Sequence, residues 1–169
     1  QLRDSETRLN TILDSVEAYI FIKDRDYRYQ YVNRKVCELF NRSAADVIGH
    51  EDHEFFDATT TASLRQIDQR VLEQGERIEV EEINCDLASG ETRAYLSIKL
   101  PLRRPDGEIY ALCGVSTDIT RQKKTEQEIH QLAFYDPLTQ LPNRRPLQKH
   151  LQHALAAYAR HPQDGALLL

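Results

Sequence analysis

The chain has 169 residues and a formal net charge of −5 at pH 7, with 29% charged and 40% hydrophobic residues. This composition is typical of one globular domain with a remainder, and no run approaches the ~18 apolar residues of a membrane span. The start is polar and charged, which argues against a signal peptide. Because the chain begins at Gln1 and contains no Met, we expect it to be part of a longer protein, which could carry a membrane anchor elsewhere.

The charge distribution and the cysteines limit which partners and which cellular compartment the sequence predicts. Residues 1–120 hold 23 acidic and 15 basic residues, whereas residues 121–169 hold 4 and 7. An acidic main body argues against nucleic acid as a partner, and nothing in the chain predicts direct contact with a membrane. The three cysteines, Cys37, Cys85 and Cys113, have no metal-site spacing, so we interpret them as reduced thiols of a cytoplasmic protein.

The first predicted element is an amphipathic helix over residues 1–16. Its apolar positions recur at helical and heptad spacing, and they are Leu2, Leu9, Ile12, Leu13 and Val16. Such a stripe either packs on its own domain or forms the seam of a homodimer, and the spacing leaves both interpretations open.

A hairpin and several helices follow. Residues 18–24 and 27–32 predict two strands, and Asn33 and Ser43 are suited to cap two short helices. Residues 61–74 predict a longer helix that ends at Gly75.

Three further strands are predicted over residues 77–87, 93–103 and 108–119. The first shows a phase slip in its apolar alternation, which suggests a bulge, and its glutamates Glu79, Glu81 and Glu82 are interpreted as a solvated face. The resulting order predicts an α+β fold. Five antiparallel strands form one sheet, short helices cross one face, and the N-terminal helix is left for the other face.

This element order and several motifs resemble a PAS domain over about residues 10–120. The closest match is the run PLRRPDGEIYALCGVSTDIT at residues 101–120, supported by Tyr31-Val32-Asn33 and Val47-Ile48-Gly49. A second stretch, DPLTQLPNRR at residues 136–145, resembles the opening of a GGDEF diguanylate cyclase domain. The resemblances divide the chain into an N-terminal helix (1–16), a PAS domain (17–120), a signalling helix or linker (121–135) and a truncated GGDEF segment (136–169).

The resemblance implies a sensory and regulatory module that controls cyclic di-GMP turnover through the attached GGDEF domain. Since the Gly-Gly-Asp/Glu-Glu-Phe loop of such cyclases does not occur in this chain, we expect no cyclase activity from it alone. The longer protein would be a diguanylate cyclase, active or degenerate, with or without a phosphodiesterase domain. Two alternatives stay open: a ligand-free dimerisation scaffold, and a part of an enzyme that is active only at full length.

PAS domains hold haem, flavin, small metabolites or no identified ligand. Residues 61–74 contain no His, which argues against haem, and no Asn-Cys-Arg-Phe-Leu-like segment supports a photoadduct flavin. A small polar or anionic ligand remains a possibility. Lys23 would then pair with a carboxylate of that ligand; the alternative is that Lys23 reaches solvent or pairs with nearby acids of the chain. By resemblance, the inward-facing residues would be Phe21, Lys23, Cys85, Leu96, Ile98, Leu100, Leu112 and Ser116.

Signal output is expected at the junction of the last strand and the following helix, through Asp118, Ile119 and Thr120. The Thr120 hydroxyl is predicted to cap that helix by accepting a hydrogen bond from the N–H of Gln122 or Lys123.

Overall fold

The computed structural model describes residues 2–135 together with residues 148 and 153. The predictions made for the GGDEF-like segment therefore lie almost entirely outside the described residues. The chain divides after Thr120 into two units, Gln1–Thr120 and Arg121–Leu169.

The first unit contains five strands and four α-helices, and a fifth helix begins at its end. The strands are β1 (Tyr19–Asp24), β2 (Tyr29–Val32), β3 (Ile78–Cys85), β4 (Thr92–Arg103) and β5 (Ile109–Asp118). The helices are α1 (Leu2–Ser15), α2 (Arg34–Phe40), α3 (Ala44–Val47), α4 (Ala58–Gln74) and α5 (Thr120–Phe134), with a 3-10 turn at Asp52–Glu54. The strands form one antiparallel sheet in the order β2-β1-β5-β4-β3, so the predicted α+β architecture is confirmed.

The helix boundaries follow the predicted caps. The Asn33 and Ser43 side chains accept the N–H groups of Val36 and Asp46, which opens α2 and α3. Gly75 ends α4 in a left-handed conformation with φ of 70°, which costs a glycine little.

An apolar core fills the space between α2, α3, the 3-10 turn, α4 and one face of the sheet, which we call the inner face. Its centre is aromatic, with the rings of Phe40 and Phe55 stacked at a centroid distance of 4.3 Å. Tyr29 meets both rings edge-on. A second part of the core joins Val71 and Leu72 of α4 to the sheet. This packing leaves a polar zone between the two parts of the core.

Strand β4 turns the opposite face inward from the one predicted. Ser97 pairs with Ser116 and Lys99 with Gly114 in the sheet register, and Tyr95, Ser97 and Lys99 are all buried. The residues of the predicted apolar stripe are only half-buried and lie on the other, outer face; they are Leu96, Ile98 and Leu100. Alternation identified the strand but not its buried side, because the inner face of β4 is polar.

Strand β3 contains no bulge. Its pairing with β4 is continuous from Ile78 to Cys85. The phase slip arises because Glu82 stays on the inner face, where it is 6% exposed, while Ile83 is 73% exposed on the outer face. The predictions of a bulge and of a solvated Glu82 were therefore wrong.

Helix α1 is connected to the domain at its last turn. Asn33 Nδ2 donates to the carbonyl of Leu13 at 3.1 Å, and the N–H of Arg34 donates to Asp14 Oδ1 at 2.8 Å. Leu9 and Ile12 are each 56% exposed. Contrary to expectation, the sheet does not bury this helix's apolar stripe.

Candidate ligand-binding site

A line of charged side chains crosses the inner face of the sheet without reaching solvent. Lys23 of β1 is 1% exposed, and Lys99 of β4 and Asp68 of α4 are both fully buried. Two further acids, Asp52 of the 3-10 turn and Glu82 of β3, are 5% and 6% exposed. Buried charges persist only when they are paired, so the positions of these five residues depend on one another.

Asp68 lies between the two lysines. Its Oδ2 accepts a hydrogen bond from Lys23 Nζ at 2.7 Å, and its Oδ1 accepts one from Lys99 Nζ at 2.9 Å. Lys23 Nζ also donates to Asp52 Oδ2 at 2.5 Å. Asp68 therefore fastens α4 to both β1 and β4, and Lys23 has two carboxylate partners.

Neutral hydroxyl groups extend the line at both ends. Tyr29 donates to Asp52 Oδ1 at 2.6 Å, and Ser97 donates to Glu82 Oε2 at 2.5 Å. The hydroxyls of Ser97 and Ser116 are 2.7 Å apart. We call these eight residues the buried polar network; they are Lys23, Tyr29, Asp52, Asp68, Glu82, Ser97, Lys99 and Ser116.

The ion pairs shift the pKa values of Lys23 and Asp68 toward their charged forms. Burial alone would lower the pKa of Lys23, but its ion pairs with Asp52 and Asp68 outweigh burial and raise it. Burial would raise the pKa of Asp68, yet Lys23 and Lys99 lower it below the ordinary value. Burial, followed by the nearby Asp52 carboxylate, raises the pKa of Tyr29, which keeps the phenol protonated as a donor.

A cavity of about 40 Å³ adjoins this network. Each water needs roughly 10–15 Å³ of such space, so the cavity has room for about three or four water-sized groups. Its wall combines six aromatic rings with aliphatic and polar side chains. The lining residues are Tyr19, Phe21, Lys23, Tyr29, Val36, Leu39, Phe40, Phe56, Leu64, Glu82, Asn84, Tyr95 and Ser116.

The structure brings only some of the predicted pocket residues to this cavity. Phe21, Lys23 and Ser116 line it. Leu112 is fully buried on the same face but belongs to the part of the core beside Val71 and Leu72. The remaining four residues are not in the cavity wall, because the strand register places them on the outer face; they are Cys85, Leu96, Ile98 and Leu100.

Sequence reasoning missed four charged members of the network. Asp68 occupies the apolar stripe of α4 between Leu64 and Val71, and Glu82 stands where the alternation of β3 slips. Both are charged residues in positions that the apolar pattern assigns to the interior, and that conflict was the available signal. Asp52 and Lys99 gave no comparable signal. For Lys23, the structure shows the alternative of pairing with nearby acids, which are Asp52 and Asp68, and Lys23 does not reach solvent.

The junction after β5 is held by Ala94 of β4. The N–H of Ile119 donates to the Ala94 carbonyl at 2.8 Å, and the N–H of Ala94 donates to the Thr120 hydroxyl at 2.9 Å. Asp118 Oδ1 accepts the N–H of Thr120 at 2.8 Å. Thus Thr120 contacts a neighbouring strand instead of capping α5, and the aspartate bonds to the first residue of that helix.

Metal-binding clusters and membrane-spanning helices are both absent from the part of the chain that the structure describes. Within residues 2–135, 148 and 153, no cluster of His, Cys, Asp and Glu has metal-binding geometry. No helix in the same part of the chain is long and apolar enough to cross a membrane.

The structure is a five-stranded antiparallel sheet with short helices packed on one face around a small cavity. Comparison with protein families assigns this architecture to a sensory class of domain. The model described as PAS fold matches residues 13–124, and that for the GGDEF domain of diguanylate cyclases matches residues 133–169. The chain belongs to the PAS family and joins a PAS unit to a GGDEF segment.

Known proteins support both parts. A diguanylate cyclase from Vibrio cholerae is 36% identical over 146 residues, which cover 86% of this chain and 46% of the relative. The chain thus spans less than half of that relative. The structure of VqmA bound to DPO matches with a TM-score of 0.59 and 26% identity, covering 66% of this chain and 57% of the other. A PAS domain from Colwellia psychrerythraea matches with a TM-score of 0.58 and 18% identity, covering 69% and 98%.

Proposed function

We propose that this chain is the sensory part of a diguanylate cyclase: the PAS unit binds a small molecule and controls the activity of the attached GGDEF domain. The observation that carries the proposal is the course of β5. This strand brings Ser116 to the cavity wall and, two residues later, Asp118 to the start of α5. A change at the cavity therefore needs to move only one strand to reach the helix that continues toward the GGDEF segment.

Several observations support the finer parts of this proposal. The 36% identity to a diguanylate cyclase supports GTP as the substrate of the whole protein. This chain alone would not convert GTP, because its six glycines include no adjacent pair and so no Gly-Gly loop. The cavity volume favours a small ligand over haem or flavin. The free thiols of Cys37, Cys85 and Cys113 support a reducing, cytoplasmic compartment.

A homodimer is part of the same proposal. Joining two GTP molecules requires two cyclase domains to face each other, so the sensory part must hold two copies together. The exposed apolar stripe of α1 is suited to that contact, with Leu9, Ile12 and Val16 at 56%, 56% and 41% exposure. The side chain of Leu2 lies outside the described residues.

The test uses the full-length protein and the junction at Ala94. Replacing Asp118 and Thr120 together with Ala removes the side-chain bonds that hold the start of α5. We expect changed cyclic di-GMP output and a changed response to stimulus, while circular dichroism of the PAS unit stays the same.

A matched control is Asp106→Ala in the β4–β5 turn. Asp106 Oδ1 accepts the N–H of Glu108 at 3.0 Å, an identical i to i+2 contact away from the junction. We expect this variant to keep wild-type regulation. Unchanged regulation in the Asp118 and Thr120 double variant would remove this junction from the proposed signalling path.

A further inference from the structure

The buried polar network contains more negative than positive groups. Two lysines face three carboxylates, those of Asp52, Asp68 and Glu82. Lys23 is shared between Asp52 and Asp68, and Lys99 between Asp68 and Glu82. The network therefore contains one carboxylate more than it has lysines, next to the cavity. Such an excess is costly in a low-dielectric interior unless a further cation or donor approaches it.

Glu82 is the acid whose hydrogen bonding is incomplete. Its Oε2 accepts the Ser97 hydroxyl, but Oε1 is buried and has no hydrogen-bond partner among the residues that the structure describes. Lys99 Nζ lies 3.0 Å from Oε1 as an ion pair, outside hydrogen-bond alignment. Because Glu82 also lines the cavity, a ligand there could donate a hydrogen bond to it.

From this geometry we propose that the cavity binds a small primary alkylammonium ion, with Glu82 as its carboxylate partner. The inference rests on the proposed sensory function and specifies the class of its ligand. It replaces the anionic ligand considered from the sequence. A ligand carboxylate would have to compete for Lys23 with Asp52 and Asp68, which already bind it at 2.5 and 2.7 Å.

The aromatic wall suits a cation. Ring faces attract ammonium groups within about 6 Å of their centroids. Lys23 Nζ already lies 5.0 Å from the Tyr29 centroid and 5.4 Å from that of Phe21. On the remaining wall, the rings of Tyr19 and Tyr95 meet edge-on at 5.4 Å, beside Glu82. A ligand ammonium would thus find both a carboxylate oxygen and aromatic rings.

The surroundings of the cavity carry the same sign of charge. A second, smaller cavity shares Leu39, Asn84 and Tyr95 with the first and is also lined by Asp86 and Glu91. Arg93, its one basic lining residue, is paired with Glu91 at 2.6 Å. Asp86 therefore leaves this side negative, which raises the local concentration of cations.

The test compares three ligands that each have four non-hydrogen atoms: isopropylammonium, 2-propanol and acetate. Each is titrated into the 169-residue chain by isothermal calorimetry at constant ionic strength and pH 7. Ligands of four non-hydrogen atoms reach dissociation constants of about 0.04 mM at best, so the titrations cover the millimolar range. We expect saturable binding of isopropylammonium at least about tenfold tighter than that of 2-propanol, and no binding of acetate.

Two variants locate the site. Glu82→Gln should weaken isopropylammonium binding about tenfold or more, whereas Glu79→Gln, on the outer face of the same strand, should leave it unchanged. If Glu82→Gln fails to fold, Tyr19→Leu is the second variant: it removes an aromatic ring of the cavity wall and leaves the buried polar network unchanged. Its control is Tyr110→Leu at a residue that is 41% exposed. We expect Tyr19→Leu to weaken binding several-fold and Tyr110→Leu to have no effect.

The outcomes separate this inference from the proposed function. Equal or tighter binding of 2-propanol or acetate would overturn the cationic class but leave a small-molecule sensor in place. Absence of saturable isopropylammonium binding, or binding unaffected by both Glu82→Gln and Tyr19→Leu, would also overturn it. The proposed sensory function is tested separately, by the cyclic di-GMP output of the Asp118 and Thr120 double variant. That measurement does not require the ligand to be identified.

Discussion

The two faces of strand β4 reverse the usual relation between polarity and burial. On the inner face, Ser97 and Lys99 are completely buried, although both are polar. On the outer face, Leu96, Ile98 and Leu100 are apolar and only half-buried. The same strand therefore presents an ionic side to the helices and an apolar side away from them. In this domain, burial is decided by where the partners of each side chain lie.

Those partners come from elements far away in the sequence. Asp68 is 31 residues from Lys99 and 45 from Lys23, and it contacts both. Because the acids are supplied by α4, the 3-10 turn and β3, the two lysines can be buried only when all these elements are in place. We expect this network to make the packing of α4 on the sheet specific, while the outer face tolerates change.

The strongest test of the comparison is Asp68→Ala. Removing this carboxylate takes one charge-assisted hydrogen bond from each of Lys23 and Lys99, which keep Asp52 and Glu82 as ion-pair partners. At about 1.5–3 kcal/mol for each bond, the two together cost about 3–6 kcal/mol. We expect the free energy of unfolding in urea to fall by that amount. As a control, Glu108→Ala removes the exposed pair with Arg104 and should cost less than about 1 kcal/mol. Similar losses in both variants would contradict the special role of the inner face.

A milder test exchanges polarity on adjacent residues of β4. Ser97→Val removes the hydroxyl between Glu82 and Ser116 and leaves buried acceptors without a donor, at a cost of about 1–3 kcal/mol. Ile98→Thr, on the outer face, should cost about 1 kcal/mol or less, since its environment is half-open. Urea denaturation of the two variants measures both losses in the free energy of unfolding. If Ile98→Thr were the more damaging, the outer face would be the more tightly packed one.

Acidification should weaken the inner face selectively. The pKa of Asp68 lies below its ordinary value of 3.8 in the folded state, so its contribution to stability is present above that value. It is lost as the pH falls from 3.8 through the folded pKa, by about 1.4 kcal/mol per unit of pKa difference. Between pH 6 and pH 3, the wild type should therefore lose more stability than Asp68→Asn, as measured by urea denaturation.

The control for this pH dependence is Ser15→Ala, which removes an exposed hydroxyl that donates to the Ile12 carbonyl and changes no titratable group. It should lose as much stability between pH 6 and pH 3 as the wild type does. Equal losses in Asp68→Asn and the wild type would show that titration of Asp68 does not contribute to acid sensitivity.

The strands and helices of the PAS unit were predictable because local patterns define them. Gly75 and the cap residue Asn33 placed helix ends where the structure has them, and alternation located β4 and β5. The inner face of β4 was not predictable from that strand alone. The apolar stripe is on the outer side, and the reason for the inversion is Asp68 on another element.

The site was predictable only in part for the same reason. Phe21, Lys23 and Ser116 were expected at a pocket and line the cavity. The local pattern of β4 does not mark Lys99 as buried, because its partners Asp68 and Glu82 are distant in the chain or lie on another strand. Charged residues inside apolar periodicity, such as Asp68 in α4, are the feature of the sequence that could have indicated a buried ionic network.

Substitutions in α1 are expected to have the smallest effect on domain stability. Like the outer face of β4, this helix carries apolar side chains that the domain does not fully bury. Leu9 is 56% exposed, so an apolar side chain there contributes little to folding of the single copy. Two copies of α1 in contact would bury its apolar stripe, which repeats at heptad spacing. We therefore expect Leu9→Glu combined with Leu13→Glu to shift the mass measured by light scattering from dimer to monomer. Leu9→Glu alone should change the domain's unfolding free energy by about 0.5 kcal/mol or less, and the half-buried Leu13 adds about 1 kcal/mol.

The matched control is Leu87→Glu, which places the same charge on a residue that is also 56% exposed but lies after β3. It should remain dimeric, because Leu87 lies outside the heptad-spaced stripe of α1. A dimer that survives the double substitution in α1 would place the interface elsewhere, and the apolar outer face around Ile98 would then be the next region to substitute. Either result shows whether the α1 stripe or another apolar surface of this unit forms the interface.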